Sequence, residues 1–188
     1  MIRKLEGSGR YIAIAGFKNV QIKDVNDFLN LVRKKTADVE IQIFNANLIA
    51  SWKHLYFAAL NALTAFESKL NISRSLAMET LLYASAQSQI DKAIDLLGSK
   101  SESPYIAVLV IAKTFKEADS ALGTISRLVS GERDDCILEL TYEKMEGVRR
   151  MFDISDLELE SKLELKGLEK NVLVDLVIEH VALLATQR

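Results

Sequence analysis

The amino-acid sequence predicts a single α+β domain, in which a small mixed or antiparallel sheet of about four strands packs against several helices. Short segments of alternating or continuous apolar residues, typical of strands, lie between amphipathic segments that are typical of helices. Varied numbers of helices separate the predicted strands, and this irregular order favours α+β over a regular βαβ series. Because the 188 residues contain one proline and eight scattered glycines, we predict no linker and treat residues 1–188 as one domain.

The first predicted elements are two strands and the helix between them. RYIAIAGF (10–17) and VEIQIFNA (39–46) alternate in polarity and are rich in β-branched and aromatic residues, which indicates strands. Between them, Asp24 is well placed to cap a helix through VNDFLNLVRKK (25–35), because an aspartate side chain can accept a hydrogen bond from the first helical turn.

The remaining elements are predicted from caps and apolar runs. Ser51 is predicted to cap the next helix and Ser73 the one after it, while Gly98 is a suitable C-cap for a third. YIAVLVIA (105–112) is almost entirely apolar and indicates a central strand covered on both faces. The later elements are predicted to be a helix over about 117–129, a strand CILELTY (136–142) and a long helix LEKNVLVDLVIEHVALLATQR (168–188).

Composition and charge exclude several classes of protein. A net charge of −2 argues against a dedicated binder of double-stranded nucleic acid, but leaves a small local contact open. The longest apolar run, Ile106 to Ala112, is far too short to span a bilayer, and the N-terminal residues lack the pattern of a secretory signal. The single Cys136 cannot form an internal disulfide, so we expect a reduced, cytoplasmic location.

The common catalytic motifs GxGxxG, GxxxxGK[ST] and GxSxG are absent from the sequence. His54, His180 and Cys136 lie too far apart for the spacing of a zinc site, and we predict neither a metal nor a cofactor. The acidic stretch DISDLELESKLELKGLE (153–169) is predicted to be a solvated helix face, with docking to a basic partner as the alternative.

His54 lies close to the only tryptophan, in the first turn of an alanine-rich helix. Residues 54, 58, 61 and 65 share one helix face, and that face offers no acid or nucleophile to the imidazole. We therefore favour a packed, hydrogen-bonded histidine; contact with a ligand is the second possibility and catalysis the third.

Glu79 lies among apolar residues on the next predicted helix. Since a buried carboxylate needs donors, we expect it to brace the preceding loop through backbone amides or the side chains of Asn71, Ser73 or His54. The rival hypothesis is a small hydrolase or transferase that uses His54 and Glu79 as a pair.

Two long segments resemble a known family. NANLIASWKHLYFAALNALTAF (45–66) and NISRSLAMETLLYASAQSQIDKAIDLLG (71–98) are similar to the central signature of the small regulatory subunit of the KEOPS complex, the family of the p53-related-kinase-binding protein. FDISDLEL (152–159) and HVALLA (180–185) look like the terminal elements of that family. Ser88 and Ser99 depart from it, because arginine and an apolar residue are common at these places.

The resemblance implies a non-catalytic subunit that binds and stimulates the atypical kinase, or ATPase, of KEOPS. Through this kinase it would be linked to the threonylcarbamoyltransferase subunit, which modifies an adenosine of tRNA. The resemblance also implies capture of the single-stranded CCA end of the tRNA, as in archaeal members of the family. A structural adaptor that binds the kinase but no RNA is the alternative. No membrane contact and no small-molecule substrate are expected.

The candidate site residues fall in two regions of the chain. The resemblance places RNA binding near the start of the first signature helix and the loop after it, with Trp52 or Tyr56 as a stacking face. The candidates there are Lys53, His54, Asn71, Ser73 and Arg74. It places kinase docking on the last helix, whose broad apolar surface either packs within the domain or binds a partner. The candidates there are Val174, Ile178, Val181 and Leu184.

Overall fold

The computed structural model describes residues 1–36, 38–101, 103–163 and 167–186. It confirms the predicted α+β class, with five strands and eight α-helices among these residues. The strands are β1 (Ile2–Lys4), β2 (Tyr11–Lys18), β3 (Glu40–Asn45), β4 (Ile106–Ala112) and β5 (Glu132–Arg133). The helices are α1 (Val25–Lys35), α2 (Trp52–Glu67), α3 (Leu76–Ala84), α4 (Ile90–Leu97), α5 (Phe115–Leu128), α6 (Tyr142–Phe152), α7 (Asp156–Lys162) and α8 (Glu169–Leu183).

The strands form an antiparallel sheet in the order β1-β2-β4-β3, and β5 pairs with the end of β2 that β1 leaves open. In the central pair, Tyr11 lies opposite Ala112 and Phe17 opposite Ile106. Every residue of β4 is buried, which confirms the prediction of a central strand covered on both faces.

The sheet separates two apolar cores. On one face α1 and α5 pack against the strands, with Val32 and Ile125 fully buried. On the other face α2, α3 and α8 form a larger layer around Leu55, Leu82 and Val177. The larger layer contains all the RNA-binding and kinase-docking candidates, because they lie on α2, on the loop between α2 and α3, on α8 and on the 3₁₀ turn Leu184–Thr186 that follows α8.

Three predicted helix ends are confirmed. The Asp24 side chain accepts a hydrogen bond from the Asp27 amide at 2.9 Å, and Ser51 Oγ accepts one from the His54 amide at 3.3 Å. Gly98 ends α4, and its amide donates to the Ile94 carbonyl at 2.9 Å. These local hydrogen bonds satisfy backbone groups that a helix end leaves unpaired.

The next predicted cap is wrong by two residues. Ser75, not Ser73, caps α3, and its side chain accepts a hydrogen bond from the Met78 amide. Ser73 is instead buried, and its hydroxyl accepts a hydrogen bond from the Ser75 amide at 3.2 Å. The helix predicted over 117–129 begins earlier than expected, at Phe115, because Thr114 and Glu117 form a capping box.

The strand predicted over 136–142 is also wrong. Residues Asp135–Leu138 form a 3₁₀ turn, and α6 begins at Tyr142. Two carboxylates explain the difference: Asp134 accepts a hydrogen bond from the Cys136 amide at 3.1 Å, and Asp135 accepts one from the Gly16 amide at the same distance. These side chains take backbone partners that a neighbouring strand would otherwise supply, so the apolar run folds as a turn.

The acidic stretch forms α7, which contains no buried residue, as predicted for a solvated helix. Residues 164–166 of that stretch, and residues 187–188 of the predicted last helix, lie outside the described residues. α7 is joined to α6 by an ion pair between Asp156 and Arg149 at 2.5 Å, and to α8 by Glu158 with His180 at 3.1 Å. A further pair joins Lys162 to Glu179.

Candidate functional site

His54 is completely buried, and both ring nitrogens contact the backbone. Nδ1 accepts a hydrogen bond from the Ala50 amide at 3.4 Å, and Nε2 lies 2.7 Å from the Ala84 carbonyl. Because Nδ1 accepts, the proton belongs on Nε2, which then donates to Ala84. Burial lowers the pKa of His54 to about 4, so the ring is neutral at pH 7. The expectation of a packed, hydrogen-bonded histidine is confirmed.

Glu79 is also completely buried, on α3. Its Oε2 accepts hydrogen bonds from the amides of Ser73 at 2.7 Å and Ile72 at 3.1 Å. The carboxylate therefore holds the loop between α2 and α3, as predicted. Asn71 supports the same loop, because its amide nitrogen donates to the Ser73 carbonyl at 2.9 Å.

The proposed pairing of His54 with Glu79 finds no support in this geometry. A general base needs a ring nitrogen that can reach a substrate proton. In His54 one nitrogen accepts from Ala50, the other donates to Ala84, and no ring atom reaches the surface. The same burial removes His54 from the RNA-contact candidates, and Ser73, which is 6% exposed, has little surface to offer.

The other RNA candidates are accessible but far apart. Lys53 is exposed in the first turn of α2, whereas Arg74 is exposed and Asn71 half-buried in the loop that follows this helix. The 16 residues of α2 rise by about 1.5 Å each, so its two ends are separated by about 24 Å. The structure therefore divides the predicted RNA region into two separate surfaces.

The kinase-docking candidates are divided by burial. Val181 and Leu184 are 0% and 2% exposed, respectively, and belong to the core, so they are corrected from docking residues to packing residues. Val174 and Ile178 are half-buried and reach the surface. Ala182 is exposed and continues the same stripe, because residues four apart lie on one face of a helix.

α2 packs against α8, and clefts that join their starts and their ends show that the two helices run in the same direction. A cleft near the start of both helices is lined by Lys53 and Val174, and a cleft near their ends by Asn61 and Ala185. Phe57 is half-buried and lies between Lys53 and Asn61 at four-residue spacing. We call Val174, Ile178 and Ala182 the docking face.

The cleft at the ends of α2 and α8 lies beside the α2–α3 loop. It has a volume of about 150 Å³, and Leu70, which is 69% exposed, forms part of its rim. Polar side chains from α2 and the loop are mixed with apolar ones in its lining. The lining residues are Asn61, Thr64, Ala65, Ser68, Leu70, Tyr83 and Ala185.

Lys144, like His54, has a pKa that burial lowers markedly. Burial lowers its pKa to about 8, and Nζ donates hydrogen bonds to the carbonyls of Ile137 at 2.9 Å and Glu139 at 3.1 Å. The ammonium thus joins α6 to the 3₁₀ turn before it. Asp134 pairs with Lys18 at 3.1 Å, and this hydrogen bond lowers the pKa of Asp134. Both groups have structural roles.

Several accessible residues of these surfaces were missed by sequence reasoning. Phe57, Ala182 and Leu70 carry no chemical signature in the sequence, and their accessible positions depend on how the helices and β1 pack around them. The half-exposed state of Phe57 could have been inferred from helical spacing, because it falls outside the alanine-rich face of α2.

The residues that the structure describes contain no group of three or more His, Cys, Asp or Glu side chains that could hold a metal ion. In the same part of the chain, no helix has both the length and the apolar character needed to cross a membrane.

Comparison with known proteins connects this architecture to one family. The family model described as kinase-binding protein CGI-121 matches residues 17–185, a range that includes most of both cores and all the candidate site residues. The regulatory protein Cgi121 of Methanocaldococcus jannaschii is 31% identical over 141 residues, which is 75% of this chain and 83% of that protein.

Proposed function

Because the chain belongs to the family of the kinase-binding protein CGI-121, we propose that it is a non-catalytic regulatory subunit of a cytoplasmic KEOPS complex. In this role it binds the atypical kinase of the complex and stimulates it. Through the kinase it is linked to the threonylcarbamoyltransferase subunit, and it recruits tRNA by the single-stranded CCA end.

The observation that best supports kinase binding is the apolar docking face. Val174 and Ile178 reach the surface of a helix whose Leu173, Leu176, Val177 and Val181 are buried, and Ala182 extends the stripe. A small side chain beside larger apolar ones allows the helix of a partner to approach closely. Exposed acidic residues, Asp175 and Glu179, border the stripe and provide the polar rim that is typical of protein interfaces.

The kinase hypothesis is tested by Ile178→Glu in a pull-down with the KEOPS kinase. A charge at the centre of an apolar interface should weaken binding by about thirtyfold or more, the effect expected at a binding hot spot. Because Ile178 is only half-buried, the variant should remain folded, which circular dichroism can verify.

The matched control is Leu31→Glu, since Leu31 is 42% exposed on α1 at the opposite face of the sheet. This variant should bind the kinase like the wild type. Leu184→Glu, by contrast, should unfold the domain, because Leu184 belongs to the core. A folded Ile178→Glu variant with undiminished binding would place the interface elsewhere.

For the CCA end we propose the cleft beside the α2–α3 loop. Its volume of about 150 Å³ and mixed polar and apolar lining suit a single nucleobase. Arg74 and Lys69 are exposed on the same loop and can pair with phosphates. Since single-stranded RNA is held mainly by stacking and a few hydrogen bonds, the net charge of −2 is compatible with this contact.

The RNA hypothesis is tested by gel shift with intact tRNA and with tRNA trimmed of its terminal CCA. Trimming should weaken binding sharply, because the nucleotides that enter the cleft are lost. Equal affinity for both forms would instead favour the adaptor that binds the kinase without RNA.

A further inference from the structure

A second accessible surface lies between β1 and the first half of α2. It is an open groove with a volume of about 540 Å³. The residues that β1 contributes to it were not among the predicted RNA-binding candidates. Its lining residues are Ile2, Arg3, Lys4, Glu6, Trp52, Lys53, Tyr56 and Phe57. We call this surface the β1–α2 groove.

The β1–α2 groove is locally basic, although the whole chain is weakly acidic. Arg3, Lys4 and Lys53 are all exposed, and Glu6 is the one carboxylate in the lining. A locally positive groove of this kind favours a polyanion, because each cation can replace a counterion of a phosphate.

The groove also contains an aromatic surface. The guanidinium of Arg3 lies over the Trp52 ring, with 4.6 Å between Cζ and the ring centroid. The Tyr56 ring meets Trp52 edge to face, with centroids 6.2 Å apart. Arg3 is exposed, so the side of the guanidinium remote from Trp52 is open to a further planar group.

The walls of the groove are held in place before any ligand binds. Arg3 is paired with Ile12 in the sheet. The Tyr56 hydroxyl accepts a hydrogen bond from the Glu6 amide at 3.3 Å and donates one to the Lys4 carbonyl at 3.4 Å. Little side-chain and loop ordering therefore remains to oppose binding.

We propose that the β1–α2 groove is a second binding site for single-stranded RNA, separate from the cleft beside the α2–α3 loop. A base stacks on the Arg3–Trp52 pair, and Lys4 and Lys53 neutralise the adjoining phosphates, without selection for a particular base. The inference rests on the proposed function in taking RNA as the ligand. Because Lys53 also lines the cleft that contains Val174 of the docking face, RNA in this groove lies beside the kinase.

Single-stranded RNA fits the groove better than an acidic peptide does. A peptide rich in Asp and Glu would satisfy the cations but has no planar ring to stack on Arg3. Nucleotides supply both a planar base and a phosphate at every step of the chain.

The proposal is tested by fluorescence titration, because Trp52 is the only tryptophan of the chain and lines the groove. A short single-stranded oligocytidylate should quench its emission with a saturable curve. Lys4→Gln and Lys53→Gln should each reduce the slope of log K against log salt by about 0.7, the value for one phosphate contact on a single strand. The control Lys116→Gln, an exposed lysine on α5, should leave the slope unchanged.

Stacking is tested with a labelled oligonucleotide by anisotropy. Arg3→Gln and Trp52→Leu should each weaken binding about tenfold. Trp52 packs partly against the core, so Arg3→Gln tests the proposal even if Trp52→Leu does not fold. Tyr142→Ala is the control, since Tyr142 carries Lys170 over its ring at 3.9 Å, in a similar cation–π pair on α6.

Absence of quenching, or wild-type affinity and salt slope in the groove variants, would overturn the proposal. So would equal quenching by a hexaglutamate peptide, which would indicate a protein partner. If CCA trimming weakens tRNA binding while groove variants bind normally, the groove proposal fails and the proposed function survives. If groove variants lose RNA while trimming has no effect, the groove proposal survives and the CCA role fails.

Discussion

At pH 7 the imidazole of His54 is neutral, because its complete burial lowers its pKa from 6.5 to about 4. The hydrogen bond to Ala84 opposes this shift but is the weaker effect, and Lys144 adds to the lowering. In the unfolded chain the pKa returns to about 6.5. The unfolded chain therefore binds more protons than the folded one between about pH 4 and pH 6.5, and stability must fall as the pH decreases through this range.

We expect the wild-type chain to lose about 2 kcal/mol of unfolding free energy through His54 between pH 7 and pH 5. The variant His54→Gln cannot titrate there, so its loss over the same range should be smaller by that amount. Urea unfolding of both proteins measures the difference. If the two proteins showed the same pH dependence, His54 could not be the buried neutral group that the structure describes.

At this scale, the roles of His54 and Glu79 could be predicted, because they follow from helical spacing and from the cost of burying an unpaired charge. The burial of Ser73 and Val181 could not, since both residues are plausible on an exposed face. Their exposure depends on which helix packs beside them, and long-range packing leaves no local pattern in a single sequence.

At the scale of helices and strands, Asp24 and Ser51 were predicted as caps because a cap is a contact within one turn. The cap of α3 was assigned to Ser73 instead of Ser75 because both serines precede the same apolar run. In the structure Glu79 accepts a hydrogen bond from the Ser73 amide and so holds Ser73 in the loop. The wrong strand at 136–142 has a tertiary cause, since Gly16 supplies the partner of Asp135.

Gly16 lies in β2 where the 3₁₀ turn approaches most closely. A Cβ there would lie 2.5 Å from both the Asp134 carbonyl oxygen and Cγ1 of Ile137. We expect Gly16→Ala to lower the free energy of unfolding by about 1–3 kcal/mol through overpacking. Urea denaturation measures this loss, and full stability of the variant would show that the turn does not pack on β2 as described.

The matched control is Gly123→Ala in the exposed interior of α5, where a new Cβ would meet no atom within 4 Å. Since alanine loses less backbone entropy than glycine when a helix forms, the free energy of unfolding of this variant should be higher by about 0.5–1 kcal/mol. If Gly16→Ala lowers the free energy of unfolding and Gly123→Ala raises it, the loss at Gly16 is due to packing and not to a general effect of replacing glycine by alanine.

At the scale of the whole molecule, the sheet divides the chain into a face covered by α1 and α5 and a face whose helices present the candidate surfaces. The α+β class was predictable, because alternating polarity and caps mark most elements. The β1–α2 groove was not, since it combines segments far apart in sequence, such as Arg3 with Trp52.

We propose that this chain acts by binding a kinase through an apolar face of α8. Isothermal titration with the KEOPS kinase at two temperatures tests this claim most directly. We predict saturable 1:1 binding with a negative heat-capacity change, the signature of buried apolar surface, and an affinity about thirtyfold lower for Ile178→Glu. No binding by the folded wild-type chain, or equal affinity for Ile178→Glu, would contradict the claim.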